Sequence, residues 1–256
     1  MDLGLTGRVA MITGASRGIG KAIALGLAAE GCRLSLCARG RKDLDKTVEE
    51  LRAGGAEVLA SALDITDEDA ARAWFEETRD AYQAADILVN NVGGSRPGGN
   101  LSASGDDWQR GFSLNFFSAL GLCRLVVPAM QESERGCVIN IASIYGREWG
   151  GPMTYNAAKA AMISLSKQMA RELAPHGIRV NSVAPGSILF PGGSWDRRRK
   201  EDPEGIAAFV QRELPAGRFG TPDEVADVVV FLASDRANWI SGACINVDGC
   251  QSRSLI

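Results

Sequence analysis

Tyr155 and Lys159 stand four residues apart in Tyr155-Asn156-Ala157-Ala158-Lys159, twelve positions after Ser143. On a helix, residues i and i+4 share one face, so the ammonium lies beside the phenol. A neighbouring cation favours phenolate and lowers the tyrosine pKa. Such a pair can donate and accept a proton near neutral pH, where free tyrosine is too weak an acid. Alone, the spacing is commonplace on solvated helices, so the surrounding elements decide its meaning.

Near the N-terminus the chain reads Thr13-Gly14-Ala15-Ser16-Arg17-Gly18-Ile19-Gly20. The apolar run before it reads as a buried parallel strand. Residues 21–29, rich in Ala and Leu, read as a helix ended by Gly31. Strand, glycine-rich turn and helix suit a pyrophosphate: glycines admit close backbone approach, and the helix N-terminus offers free N–H groups. The spacing Gly-x-x-x-Gly-x-Gly matches the general dinucleotide fingerprint only loosely, and a ligand-free tight turn is the plainer alternative.

Alternation continues along the chain. Strands are predicted near 8–13, 33–38, 57–62, 86–90, 136–141, 179–184 and 244–247. Helices are predicted over 18–30, 41–53, 67–82, 106–132, 152–173 and 222–233. That order predicts an α/β fold, one domain over 1–256 with a parallel sheet of about seven strands covered on both faces. The stretch from Pro185 to Arg218 is too long for an ordinary connection. It holds the run Arg197-Arg198-Arg199-Lys200, which would suit an anionic substrate or, more blandly, a solvated helix face.

Composition narrows the classes. The 256 residues are 45% apolar and carry a net charge of −3, which gives no electrostatic footprint for nucleic acid. No unbroken apolar run reaches membrane length, and residues 1–6 lack a signal-peptide pattern. Six cysteines without Cys-x-x-Cys spacing read as reduced thiols of a cytoplasmic protein. With His176 the only histidine, a histidine-based triad or metal site is excluded, and no metal is expected.

Several motifs in order resemble the short-chain dehydrogenase/reductase family across essentially the whole chain, in particular its 3-oxoacyl-[acyl-carrier-protein] reductases. These are Thr13-Gly14-x-x-x-Gly18-x-Gly20, Asp64, Asn90-Asn91-Val92-Gly93, Asn115, Ser143, Tyr155-x-x-x-Lys159, Pro185-Gly186 and Val247-Asp248-Gly249. The resemblance implies a doubly wound (Rossmann) sheet and hydride exchange between a nicotinamide cofactor and a carbonyl. It implies catalytic roles for Asn115, Ser143, Tyr155 and Lys159: phenol as acid and base, serine on the carbonyl oxygen, lysine on the ribose, asparagine on a water. Cofactor contacts would come from Gly14, Ser16, Arg17, Gly18, Ile19, Gly20, Arg39, Asp64, Ile65, Asn91, Gly93, Tyr155, Lys159, Pro185, Gly186 and Ile188. Asn91 and Gly93 are expected on the adenosine side. Residues 186–217 would form a lid over the substrate, and the helices around Phe112–Phe117 and Tyr155 would pair copies into a homotetramer or homodimer.

Charges suggest which cofactor. Leu36-Cys37-Ala38-Arg39 offers no acid where a ribose 2′-hydroxyl would need one, whereas Arg17 and Arg39 suit a 2′-phosphate. NADP(H) is therefore expected over NAD(H), which stays open. For substrate, Ser143, Tyr155, Trp149 and Trp195 are the expected contacts of a small ketone or secondary alcohol. A carrier-protein thioester is the alternative, disfavoured by the acids Glu132 and Glu134 before the fifth strand. A dinucleotide-binding sensor without catalysis would have lost the proton-handling residues, and all four are retained.

Overall fold

The apolar run ahead of Gly14 has no polar face to turn to water, and it becomes the middle of a sheet. β1 (Val9–Thr13) is buried throughout. It pairs in parallel with β2 (Arg33–Ala38), Val9 opposite Arg33, and with β4 (Ile87–Asn90), Ala10 opposite Ile87. The computed structural model describes residues 2–95 and 99–255. With β3 (Val58–Ala62), β5 (Gly136–Ile141), β6 (Ile178–Pro185) and β7 (Cys244–Val247), it forms a seven-stranded sheet in the order β3-β2-β1-β4-β5-β6-β7. Every pairing is parallel. The expected strands agree to within a residue at each end.

Helices cover both faces, as parallel strands require. α1 (Gly18–Ala29), α2 (Arg41–Ala53) and α9 (Pro222–Ala233) bury Ile23, Leu27, Leu44, Val225 and Val229 on one side. On the other, α3 (Glu68–Tyr82), α5 (Ser118–Glu132) and α6 (Met153–Leu173) bury Trp74, Phe75, Leu122, Val126 and Leu173. After β3 the chain returns to the far side of β1, so the winding reverses between β1 and β4. Crevices for ligands open at the carboxyl ends of strands at such a point. Here Asn91 and Val92 donate backbone N–H to the Thr13 hydroxyl at 2.9 and 3.0 Å, tying the two strand ends together.

One expected helix is divided. In place of a helix over 106–132, α4 (Gly105–Phe112) passes through a π-helical turn, Ser113–Phe117, into α5. Asn115 explains the break: its side-chain Nδ2 takes the Gly111 carbonyl at 3.0 Å, the acceptor that its own backbone N–H would use in an α-helix. The helical stretch Gly105–Glu132 is long enough to cross a membrane and contains an 18-residue window apolar enough to do so, with mean hydropathy 1.5. The sequence reading found no such run because Asn115, Ser118 and Arg124 interrupt it. In the structure the stretch packs against α3 and α6.

Between β6 and α9, residues 186–217 carry two short helices, α7 (Ser194–Glu201) and α8 (Pro203–Glu213). The connection is fastened at its root. Ser187 donates its N–H to Gln251 Oε1 at 2.7 Å, and an isolated parallel bridge joins Ile188 to Gly220. Within it, Asp196 accepts the Gly192 N–H at 2.9 Å and the Lys200 ammonium at 2.7 Å.

Candidate active site

Tyr155 and Lys159 lie in the first two turns of α6, and Ser143 caps the short 3₁₀ turn Ile144–Gly146 that follows β5. The helix thus lays its phenol against the sheet's carboxyl edge, close enough to the Ser143 side chain for it to lower the phenol pKa, while the Ser143 hydroxyl accepts the Tyr145 N–H at 3.1 Å. Lys159 Nζ sits 5.8 Å from the Tyr155 ring centre and donates to the Ile141 carbonyl at 2.6 Å. Its side chain is buried. Burial brings the lysine pKa down to about 7.

The phenol differs from expectation. Burial raises the Tyr155 pKa, the Ser143 side chain opposes that, and Tyr145 adds to the rise. The lysine does not outweigh burial: the site that would need its charge also expels that charge.

Asn115 meets this group from the side. It holds Gly94 twice, Oδ1 accepting its N–H at 2.9 Å and Nδ2 donating to its carbonyl at 3.1 Å. A Cβ on Gly93 would stand 2.8 Å from Asn115 Oδ1 and 3.0 Å from Lys159 Nζ. Gly93 therefore adjoins the lysine, because only a residue without a side chain fits between those two groups. A cavity of about 30 Å³ beside Asn115, Gly94, Thr154 and Tyr155 has room for a water. Further along this strand-end segment, Arg96 and Pro97 fall outside the described residues.

From Tyr155 a cavity of about 870 Å³ runs to the glycine turn. Gly14, Ser16, Arg17, Ile19 and Gly20 form one wall, and Arg39, Asp64 and Ile65 close its far end. The turn fits a dinucleotide. α1 has no side-chain cap and no acid in its first turn, so its leading N–H groups remain available to phosphate. A Cβ on Gly20 would lie 2.4 Å from the Gly14 carbonyl and 2.5 Å from Asn91 Nδ2. Gly20→Ala is therefore expected to weaken NADPH binding at least about tenfold, as one displaced charge-assisted contact would; an unchanged fluorescence titration would contradict the fit. Asn91 acts from beneath, its Nδ2 donating to the Thr13 carbonyl at 2.8 Å.

Near the reacting end, Pro185, Gly186 and Ile188 line the cavity. The bridge to Gly220 uses the Ser187 carbonyl and the Leu189 N–H. The backbone of Ile188 therefore stays available for a carboxamide. Gly18, expected among the cofactor contacts, does not line the cavity. The Phe190 ring covers it, so a Cβ there would lie 2.7 Å from that ring.

The arginines divide. Arg39 is exposed at the groove's end and helps depress the Asp64 carboxyl, chiefly held down by the Thr66 backbone N–H. Arg17 also lines the groove but donates to the Gly192 carbonyl at 3.2 Å. Asp64 Oδ1 is already occupied by Thr66, through its N–H at 3.0 Å and its hydroxyl at 2.8 Å.

Trp149 is not a cavity wall. It is 88% exposed, because the Tyr145 ring packs on the backbone of Gly150 and Gly151, leaving no space for an indole. Arg147 turns away too, onto the Cys244 carbonyl and Asn246 Oδ1 at 3.1 and 2.6 Å. Trp195 does line the cavity, stacked 4.7 Å from Phe209. The sequence reading missed Tyr145, Ile206 and Phe209 as lining residues. The first was legible from its place two residues after Ser143; the other two depend on how α8 folds back.

These features meet the known proteins at every level. The family model described as Enoyl-(Acyl carrier protein) reductase matches residues 14–250. The 3-oxoacyl-[acyl-carrier-protein] reductase FabG of Thermotoga maritima is 36% identical over 96% of this chain and 98% of its own. L-sorbose reductase from Gluconobacter frateurii, solved with NADPH and L-sorbose, superposes with a TM-score of 0.94 at 37% identity, covering both chains fully. A 7α-hydroxysteroid dehydrogenase complexed with NADH and 7-oxo glycochenodeoxycholic acid gives 0.91 at 32% identity, over 100% of this chain and 98% of its own. The chain belongs to the short-chain dehydrogenase/reductase family. It is an oxidoreductase of the carbonyl–alcohol class.

Proposed function

We propose that the protein reduces a small ketone, or oxidises the matching secondary alcohol, using NADP(H), with Tyr155 as general acid and base. One observation carries this reading. Ser143, Tyr155 and Lys159 converge at one end of a cavity whose other end is an uncapped helix behind a glycine turn. The dinucleotide held there supplies the hydride. Ser143 positions the carbonyl oxygen and stabilises charge developing on it. Tyr155 passes its proton to that oxygen, and its raised pKa keeps it protonated through neutral pH. Lys159, with its pKa near 7, replaces that proton, and the cavity beside Asn115 provides the water path. The connection 186–217 covers the substrate.

Arg39 supports the choice of NADP(H), since no acid stands at the end of β2. Half-exposed Phe117 and Met153 on neighbouring helices support assembly through paired helices, and six unpaired cysteines suit a reducing, cytoplasmic setting. A second reading, reduction of carrier-protein thioesters, is favoured by the names of the curated relatives. Both are tested by assaying ketones, ketoses, secondary alcohols and acyl thioesters with each cofactor by nicotinamide absorbance. Reduction of free ketones with NADPH is expected; activity confined to thioesters would establish the second reading. In the same assay Arg39→Asp is expected to raise the NADPH KM about 10–100-fold, the loss of one or two charge-assisted contacts. An unchanged KM would place the 2′-phosphate elsewhere.

A further inference from the structure

The run Arg197-Arg198-Arg199-Lys200 reads as four equivalent cations, and the fold makes them unequal. Arg197 donates to the Gly192 carbonyl at 2.8 Å. Arg199 and Lys200 pair with buried Asp196 at 3.5 and 2.7 Å. These three hold the connection together and do not line the cavity. Arg198 does line it, its guanidinium 5.0 Å above the Trp195 ring, with no carboxylate within ion-pair distance among the described residues.

Its surroundings decide what it would meet. The Trp195 indole is itself backed by Phe209 and Phe219, at 4.7 and 5.2 Å, so the guanidinium lies on a fixed aromatic plate. Asp202 is the one acid of α7 and α8 lining the cavity. It is turned onto its own helix, where Oδ1 accepts the Gly205 N–H at 2.9 Å. The Tyr145 phenol lines the same cavity; burial first, then Glu148 and Glu213, raise its pKa, with Arg198 opposing them. Glu213 is itself engaged by Arg212 and Arg253 at 2.7 and 3.1 Å. Arg198 thus lines the same cavity as Ser143, Tyr145 and Tyr155, and its charge reaches the Tyr145 phenol.

We propose that the substrate is a keto acid or hydroxy acid, its carboxylate bound by Arg198 while its carbonyl lies at Ser143 and Tyr155. The inference rests on the proposed ketone–alcohol activity and narrows its substrate. A guanidinium offers a carboxylate two parallel N–H donors, and a plate that fixes the cation reduces the freedom lost on binding. The apolar residues Ile144, Ile206 and Phe209, which line the same cavity, suit the carbon chain. A neutral sugar would leave Arg198 without a partner.

The test compares acetoacetate, 4-oxopentanoate and 5-oxohexanoate with their methyl esters, using NADPH and the full-length protein. For at least one chain length, kcat/KM for the acid is expected to exceed that for the ester about tenfold or more, as one hydrogen bond between charged groups would give. Arg198→Met should remove that preference by raising KM for the acid, while leaving ester reduction and NADPH binding nearly unchanged. Pentanoate, which cannot be reduced, should compete with ester in the wild type and lose about tenfold in that variant. Esters reduced as well as acids, or an acid preference that survives in Arg198→Met, would overturn the proposal and leave the ketone–alcohol activity standing. Reduction of none of the ketones would overturn both.

Discussion

Replacing Tyr155 by Phe is expected to cut kcat about 10²–10⁴-fold, the usual contribution of a positioned proton donor, while NADPH affinity stays nearly unchanged. The variant keeps the ring that packs beside Lys159 and loses only the hydroxyl that Ser143 contacts. The glycine turn and the uncapped α1 lie at the other end of the cavity and are untouched. Direction matters for pH. Reduction needs the protonated phenol, which burial preserves, so its rate should fall only at alkaline pH; oxidation needs the phenolate and should rise with pH. Steady-state rates in both directions, beside an NADPH titration, check this. Turnover equal to wild type would remove Tyr155 from the chemistry.

Lys159→Met should separate function from stability. In the folded protein the ammonium is buried, with the Ile141 carbonyl at 2.6 Å and Met162 Sδ at 3.9 Å as its hydrogen-bond acceptors, and its pKa falls from 10.5 to about 7. Between those values the unfolded chain binds the proton and the folded chain does not, so stability rises with pH across that window. Below pH 7 both states are protonated and the full cost of the buried charge is present. That cost is several kcal/mol at ~1.4 kcal/mol per pH unit. Methionine removes it but orphans the Ile141 carbonyl, which costs ~1–3 kcal/mol. The variant should therefore be more stable than wild type at pH 6 by a few kcal/mol, less stable near pH 10, and almost inactive at both. Urea unfolding at a series of pH values reads the crossover. A variant less stable than wild type at every pH would mean that the lysine is charged and well solvated.

The fold was legible because the strands are short, mostly apolar runs, buried throughout in β1, β4, β5 and β6, and short turns leave little choice of boundary. The helix around Asn115 was not: its π-turn follows from a side-chain bond to Gly111 and Gly94, and no periodicity announces that. Site residues close in sequence to a motif were legible for the same reason as the motif, since strand ends and first helical turns fix their direction. Gly93 shows the limit. Its type indicated a close approach, but which groups approach it depends on α4 and α6 meeting across the sheet's edge. Trp149 was misread because proximity in sequence to Tyr155 carries no direction through a glycine pair. The phenol was misread because a pairing rule that holds on a solvated helix ignores the desolvation that a working site imposes on both partners.

The central claim is that this phenol and this amine serve one bound nicotinamide. A crystal structure of the NADPH complex with a ketone tests it most directly. Expected are the Tyr155 and Ser143 hydroxyls both within hydrogen-bond distance of the ketone oxygen, with the Lys159 amine at the adjoining ribose. A nicotinamide ring bound away from Tyr155, or a ketone oxygen held by other residues, would contradict it.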